Sequence, residues 1–175
     1  MNIYIYLFAI FVVLSQIQIA LSQTIQSPPG SSLVQRLCKR NRYQALCIST
    51  LNVDPRSKTS NLQGLASISL DATTKKFNVT LTYYISVLKN VRGRVDFERY
   101  GTCIEEYGAA VDRFLPAVKA DLKAKKYPEA MSEMKDVVAK PGYCEDQFAG
   151  ESPVTAPNKA VHDIADMTAD IIKTL

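Results

Sequence analysis

Tryptophan is absent from this 175-residue chain and histidine occurs once, as His162. One imidazole excludes a metal cage built from several, and leaves any nucleophile triad a single candidate base. No Gly-x-Ser-x-Gly, glycine-rich phosphate loop or His-Glu-x-x-His is present, so the common hydrolase, nucleotide and metalloprotease signatures are missing. Cys-x-x-Cys is missing too, and with it the usual spacing of a zinc site. The carboxylates Glu105, Glu106, Asp112, Glu145 and Asp146 are scattered over segments that read as helices. A glycosidase needs two carboxylates about 5 to 10 Å apart across a cleft, and a surface without tryptophan suits sugar stacking poorly. Together these absences describe a chain that is not an enzyme and needs no cofactor or metal.

Charge is the next thing lacking, over a limited stretch. Residues 1–22 contain no Asp, Glu, Lys or Arg, and the run Ile3 to Leu14 has the length of a signal-peptide core, too short to span a bilayer. Ala20-Leu21-Ser22 offers small residues for cleavage after Ser22. Residues 1–22 are therefore expected to be a signal peptide and 23–175 one exported domain, with no membrane segment once the leader is gone. The formal charge of +4 falls entirely on that domain, with Lys and Arg interleaved among Asp and Glu. This is a solvated surface, not a nucleic-acid footprint, although mild basicity suits an acidic polymer such as a polyuronate wall. Cys38, Cys47, Cys103 and Cys144 all lie in the exported part, and an even count there argues for two disulfides. Three pairings are open; pairing neighbours, Cys38 with Cys47 and Cys103 with Cys144, is the one adopted here.

Period-two alternation is absent beyond the leader, and what replaces it is helical spacing. After the polar entry segment Gln23–Gly30, Ser31 or Ser32 can cap a short helix ending at Cys38, and Tyr43 to Leu51 forms a second one beyond the basic turn Lys39–Arg42. Asp54-Pro55-Arg56-Ser57 is a turn. A long helix is expected from about Ser60 to Lys89, with Leu62, Leu65, Ala66, Ala72, Tyr83, Tyr84, Val87 and Leu88 on its apolar face. The next carries Tyr100, Cys103, Tyr107, Val111, Phe114, Leu115, Val118 and Leu122, with Pro116 expected to kink it. Following the turn Lys125-Lys126-Tyr127, Pro128 opens a third helix that bears Met131, Met134, Val138 and Phe148, and Pro141-Gly142 should disturb it near Cys144. Thr155 can cap a last helix with Val161, Ile164, Ala165, Ile171, Ile172 and Leu175 on one face and His162 on the polar side. The expected fold is all-α: a helical hairpin over 31–53, then an up-down-up-down four-helix bundle over 60–175. Asn78-Val79-Thr80 is an N-glycosylation sequon at Asn78.

Taken in order, Cys38-x8-Cys47, Asp54-Pro55-Arg56-Ser57, Leu62-Gln63-Gly64-Leu65, Cys103 ahead of Tyr107-Gly108-Ala109-Ala110, Cys144-Glu145-Asp146-Gln147-Phe148 and Ser152-Pro153-Val154-Thr155 resemble the plant invertase and pectin methylesterase inhibitor family over essentially the whole exported domain. The resemblance implies neighbour-paired disulfides and a secreted bundle that docks on a cell-wall carbohydrate enzyme. It implies an extracellular, apoplastic address, with the vacuole as the alternative.

The family has two branches. Inhibitors of pectin methylesterase resemble this chain in Leu62-Gln63-Gly64-Leu65 and in Tyr127, and are thought to cover the esterase groove in a one-to-one complex. That implies a contact face near Asp112, Tyr127 and Asp146. Tyr143 stands where a threonine is common and Lys126 where an acidic residue is common, both at expected contact positions. Inhibitors of acid invertase resemble the chain at Ser152-Pro153 and Asn158-x-Ala160-Val161-His162. They present a Pro-Lys-Phe element where this chain has Lys125-Lys126-Tyr127. Tyr127 is the expected aromatic anchor, the alternative being a core residue at the start of its helix. The competing reading of the whole chain is a structural or ligand-binding bundle without an enzyme target.

Overall fold

A ten-residue helix is too short to persist by propensity alone, and the described chain begins with two of them fastened together. A computed structural model describes residues 29–148 and 152–175; the expected leader and most of the entry segment lie outside the described residues. Helix α1 (Pro29–Cys38) and helix α2 (Gln44–Val53) are joined by the Cys38–Cys47 disulfide, with Cα atoms 5.5 Å apart. Because α1 starts at Pro29, Ser31 and Ser32 stand inside the helix and not at its cap. The turn between the two helices anchors the hairpin on the bundle. Asn41 Nδ2 donates to the Met167 carbonyl at 2.9 Å, and Arg42 reaches Asp166 at 2.6 Å and Asp170 at 2.9 Å. Tyr43 adds its hydroxyl to Asp166 at 3.1 Å.

Asp54 then caps a short 3-10 turn over Pro55–Lys58, its side chain accepting from the Arg56 N–H. Helix α3 (Leu62–Leu88) is capped by Asn61, which accepts from the Gly64 N–H at 2.8 Å. A Cβ on Gly64 would lie 2.9 Å from the side chain of Ser60, so glycine is what lets the cap close. The 27 residues make a rod of about 40 Å. Its buried stripe is Leu65, Ser69, Thr73, Phe77, Thr80 and Tyr84, at separations of three and four. Of the residues expected on the apolar face, Leu65, Ala66 and Tyr84 are buried, whereas Leu62 is 36% and Tyr83 46% exposed. Hydroxyls fill the gap: Thr168 pairs with Ser69 at 2.5 Å and with Thr73 at 2.8 Å in the core.

The second bundle rod departs from a simple proline kink. Helix α4 (Arg94–Ala109) passes into a π turn over Ala110–Phe114 and resumes as helix α5 (Leu115–Lys123). The Leu115 N–H reaches five residues back to the Ala110 carbonyl. The ring of Pro116 would otherwise press on the carbonyl four residues earlier, and the wider turn just before it makes room.

Helix α6 (Tyr127–Glu145) runs through Pro141-Gly142 without ending. Cys144, one turn on, is bonded to Cys103 of α4 with Cα atoms 4.5 Å apart. Phe148, expected on this helix, lies past its end, where its ring packs edge-on against Tyr100 at 5.3 Å. Helix α7 (Thr155–Ile172) buries Val161, Ala165, Met167, Ala169, Ile171 and Ile172. Val154 occupies the cap position assigned to Thr155. In the bundle, α3 packs on α4 and α7, and α6 packs on α5 and α7, which closes the expected up-down-up-down ring. No described helix is long and apolar enough to cross a membrane.

Candidate functional site

The end of α5 is closed by three backbone hydrogen bonds: Ala124 to Ala120 at 2.9 Å, Lys125 to Leu122 at 3.2 Å and Lys126 to Asp121 at 2.9 Å. The last of these reaches back five residues, as in a Schellman closure. Such a closure requires one left-handed residue, normally glycine; here it is Lys125, at φ 59°. A side chain in that conformation costs about 1 kcal/mol. Its effect is to hold Lys125 and Lys126, both exposed, at the apex of the bundle. Tyr127 begins α6 directly behind them, half-buried and packed against the core. Part of the Tyr127 ring thus packs inward and part remains accessible. Exchanging Lys125 for glycine should raise stability by about 1 kcal/mol in urea titration. An unchanged or lowered stability would show that the left-handed turn carries no such cost.

A second surface lies along α4 and α6. Lys140, on α6, places its ammonium 2.7 Å from Glu106 of α4. The same ammonium stands 5.0 Å from the Phe114 ring centroid and 5.4 Å from that of Tyr143. With its side chain only 13% exposed, Lys140 is a cation held between two rings and a carboxylate. The π turn carries Phe114 on this surface, with the Arg113 guanidinium 4.8 Å from its ring, and it also carries the exposed Asp112. Tyr143, 50% exposed, forms the outer rim. Asp146, at the C-cap of α6, is exposed one turn beyond.

The expected contact residues therefore do not form one patch. Tyr127 and Tyr143 stand sixteen residues apart on α6, on the order of 24 Å along its axis. Lys125, Lys126 and Tyr127 make an apical site; Asp112, Tyr143 and Asp146 belong to the flank and far end. Lys140, Arg113 and Glu106 were not singled out from the sequence. The three-residue step from Lys140 to Tyr143 could have shown a cation and a ring sharing one helix face. Phe114 was assigned to the core stripe, and it is only partly buried there.

Several residues that mark the chain at sequence level do different work. Asn158, 3% exposed, accepts from the hydroxyls of Tyr84 at 2.6 Å and Tyr107 at 2.8 Å. Its amide donates to Glu145 Oε2 at 2.8 Å. Thr155 donates to the other oxygen of Glu145. Cys144-Glu145, Ser152, Thr155 and Asn158 thus build one clamp between α6 and α7. Burial drives the Tyr84 and Tyr107 phenols well above their usual range. For Glu145 burial pushes the carboxyl up, but hydrogen bonds from Thr155, Asn158 and Ser152 outweigh it and leave the group below its ordinary value.

A folded value that is depressed means the stability is present above the unfolded pKa and is lost as pH falls through the folded one. Asp170 adds to the same window: burial raises it, and hydrogen bonds from Arg42 outweigh that and lower it. Melting temperature should accordingly fall as pH drops from about 5 to about 3, and should fall less in Glu145→Gln. An equal drop in both proteins would remove Glu145 from the account. His162 lies half-exposed beside Glu145 and Lys159 on the outer side of α7, with its Nδ1 3.6 Å from Asp163, and among the described residues no nucleophile or oriented acid-base pair converges on it.

The model of the family described as plant invertase/pectin methylesterase inhibitor matches residues 32–172. A pectinesterase inhibitor of Actinidia deliciosa is 29% identical over 130 residues, covering 74% of this chain and 70% of its own. A putative invertase inhibitor of Platanus acerifolia is 29% identical over 164 residues, covering 86% of this chain and 89% of its own. A cell wall / vacuolar inhibitor of fructosidase from Arabidopsis thaliana is 27% identical over 141 residues, covering 79% and 78%. Among solved structures, a mutant form of a pectin methylesterase inhibitor from Arabidopsis superposes with a TM-score of 0.66 at 21% identity, covering 79% of this chain and 94% of that one. With two disulfides in the same all-helical bundle and the family model spanning nearly every described residue, this chain belongs to the plant invertase/pectin methylesterase inhibitor family.

Proposed function

We propose that this chain is an exported inhibitor that docks one to one on a carbohydrate-active enzyme of the plant cell wall, with pectin methylesterase the first target and acid invertase the second. The observation that carries this is the apex: a strained backbone turn presents two lysines and an aromatic ring at the end of the bundle. A protruding cation-and-ring element suits insertion into an acidic pocket, and the flank of Phe114, Lys140 and Tyr143 suits a broad groove. One buried aromatic at the centre of such a contact can dominate its affinity.

The family and the curated relatives support an inhibitor at either target. Equal identity to a pectinesterase inhibitor and to a putative invertase inhibitor does not divide the two. Variants of the apex and of the flank, which lie apart on the rod, would divide them. Inhibition lost on changing the apex but kept on changing Tyr143 points to pocket insertion, and the reverse points to groove coverage. The deciding measurement is titration of oxidised protein into each enzyme at about pH 5 to 6. A break near equimolar ratio in one assay supports the reading; activity against neither leaves the non-inhibitory bundle.

Residues 1–22 would be the leader and 23–175 the inhibitor domain, delivered to the wall or the vacuole. The net positive charge would bring the domain against the acidic polymer of the wall. Asn78 is exposed on α3, which supports its use as a glycan acceptor.

A further inference from the structure

Three cations occupy the turn between α1 and α2, and they are treated differently. Arg42 is spent on Asp166 and Asp170 of α7. Lys39 and Arg40 are exposed and have no ion-pair partner among the described residues. Both line a cleft of about 560 Å³ between the hairpin and the start of α3, which Arg36 also borders and whose apolar walls are Leu33, Leu37 and Leu62. That volume is in the range of ligand clefts. Gln63, next to Leu62, donates to the Leu122 carbonyl at 2.9 Å. That bond sets the start of α3 against the end of α5, which bears Lys123 and then the apical Lys125 and Lys126, all exposed.

We propose that this cleft binds a polyuronate, an acidic polysaccharide carrying a carboxylate on each sugar ring. The chemistry is complementary on both counts: carboxylates meet Lys39 and Arg40, and the C–H faces of the rings lie on the leucines. Nucleic acid fits poorly, because no aromatic side chain lines the cleft for bases to stack on. Residues 23–28 carry no charge, so the chain's own entry segment cannot neutralise these cations. The proposal locates the wall contact suggested under the proposed function and rests on that reading for its setting. De-esterified pectin is a polyuronate and is what a pectin methylesterase leaves behind, so an inhibitor held there would concentrate where its target has already acted.

The test is binding of the whole oxidised protein to defined oligogalacturonates by titration calorimetry at low and high salt. Wild type should bind the oligomer, bind its fully methyl-esterified form far less, and weaken as salt is added. Lys39→Gln/Arg40→Gln should lose about tenfold in affinity with an unchanged melting temperature. Lys89→Gln/Arg92→Gln, two exposed cations near the opposite end of α3, should lose little. Equal losses in the two variants would reduce the effect to overall charge and overturn the site, as would equal binding of the esterified oligomer or of monomeric galacturonate. Inhibition is measured separately on small soluble substrates. A protein that binds oligomer but inhibits neither enzyme would sink the inhibitor reading and leave the cleft standing, and the converse would sink the cleft alone.

Discussion

Asn158→Leu should cost about 2 to 4 kcal/mol in urea denaturation. The asparagine oxygen is the acceptor for two phenol hydroxyls whose side chains are fully buried. Removing it leaves the two hydroxyls only each other as partners, so one donor goes unsatisfied at a desolvation cost of about 1 to 3 kcal/mol. Glu145 loses one of its donors as well. The triple variant Tyr84→Phe/Tyr107→Phe/Asn158→Leu should recover much of the loss, since removing every partner of a buried bond costs far less than removing one. No recovery would mean that Asn158 acts through shape alone. Asn158→Asp keeps the acceptor but sets a carboxylate beside Glu145, so its deficit should shrink as pH falls.

The second large effect concerns binding. Tyr127→Ala should weaken inhibition about tenfold or more against whichever enzyme is inhibited, with a stability loss of about 1 to 2 kcal/mol because the ring is only half-buried. Tyr127→Leu, which restores much of the packing but not the aromatic ring, separates the two effects. If Tyr127→Leu regains full stability and full potency, the ring is packing and no anchor. If stability returns and potency does not, the anchor stands. Neither variant should alter the Cys103–Cys144 pair, which closes the bundle near the opposite end of α6.

These two residues show how far the linear pattern could be followed. Asn158, within the closing Asn158-x-Ala160-Val161-His162 stretch, resembled a mark of the target branch. In three dimensions it is the hub on which α3, α4, α6 and α7 converge, and it bears on the fold before it bears on any target. Tyr83 was placed by spacing on the buried face of α3, because a stripe defined by apolarity cannot see that Ser69, Thr73 and Thr168 satisfy one another's hydroxyls inside the core; Phe148 was placed on α6, which ends earlier, at Glu145. The kink at Pro116 could be foreseen from the ring's clash with its own helix. That it would be relieved by a π turn, carrying Phe114 toward Lys140, could not.

What the amino-acid order determined alone was part of what depends on near neighbours: the helical period and the turn in which Asp54 accepts from the amide beyond Pro55. Those interactions span a few residues, so the pattern contains them. Tertiary structure alone decided the split of the expected contact residues between an apex and a flank, the capture of Arg42 by α7 with Lys39 and Arg40 left over, and the clamp around Asn158. Each joins side chains from helices far apart in the chain, and their meeting depends on packing angles and on which polar groups find partners once water has been excluded.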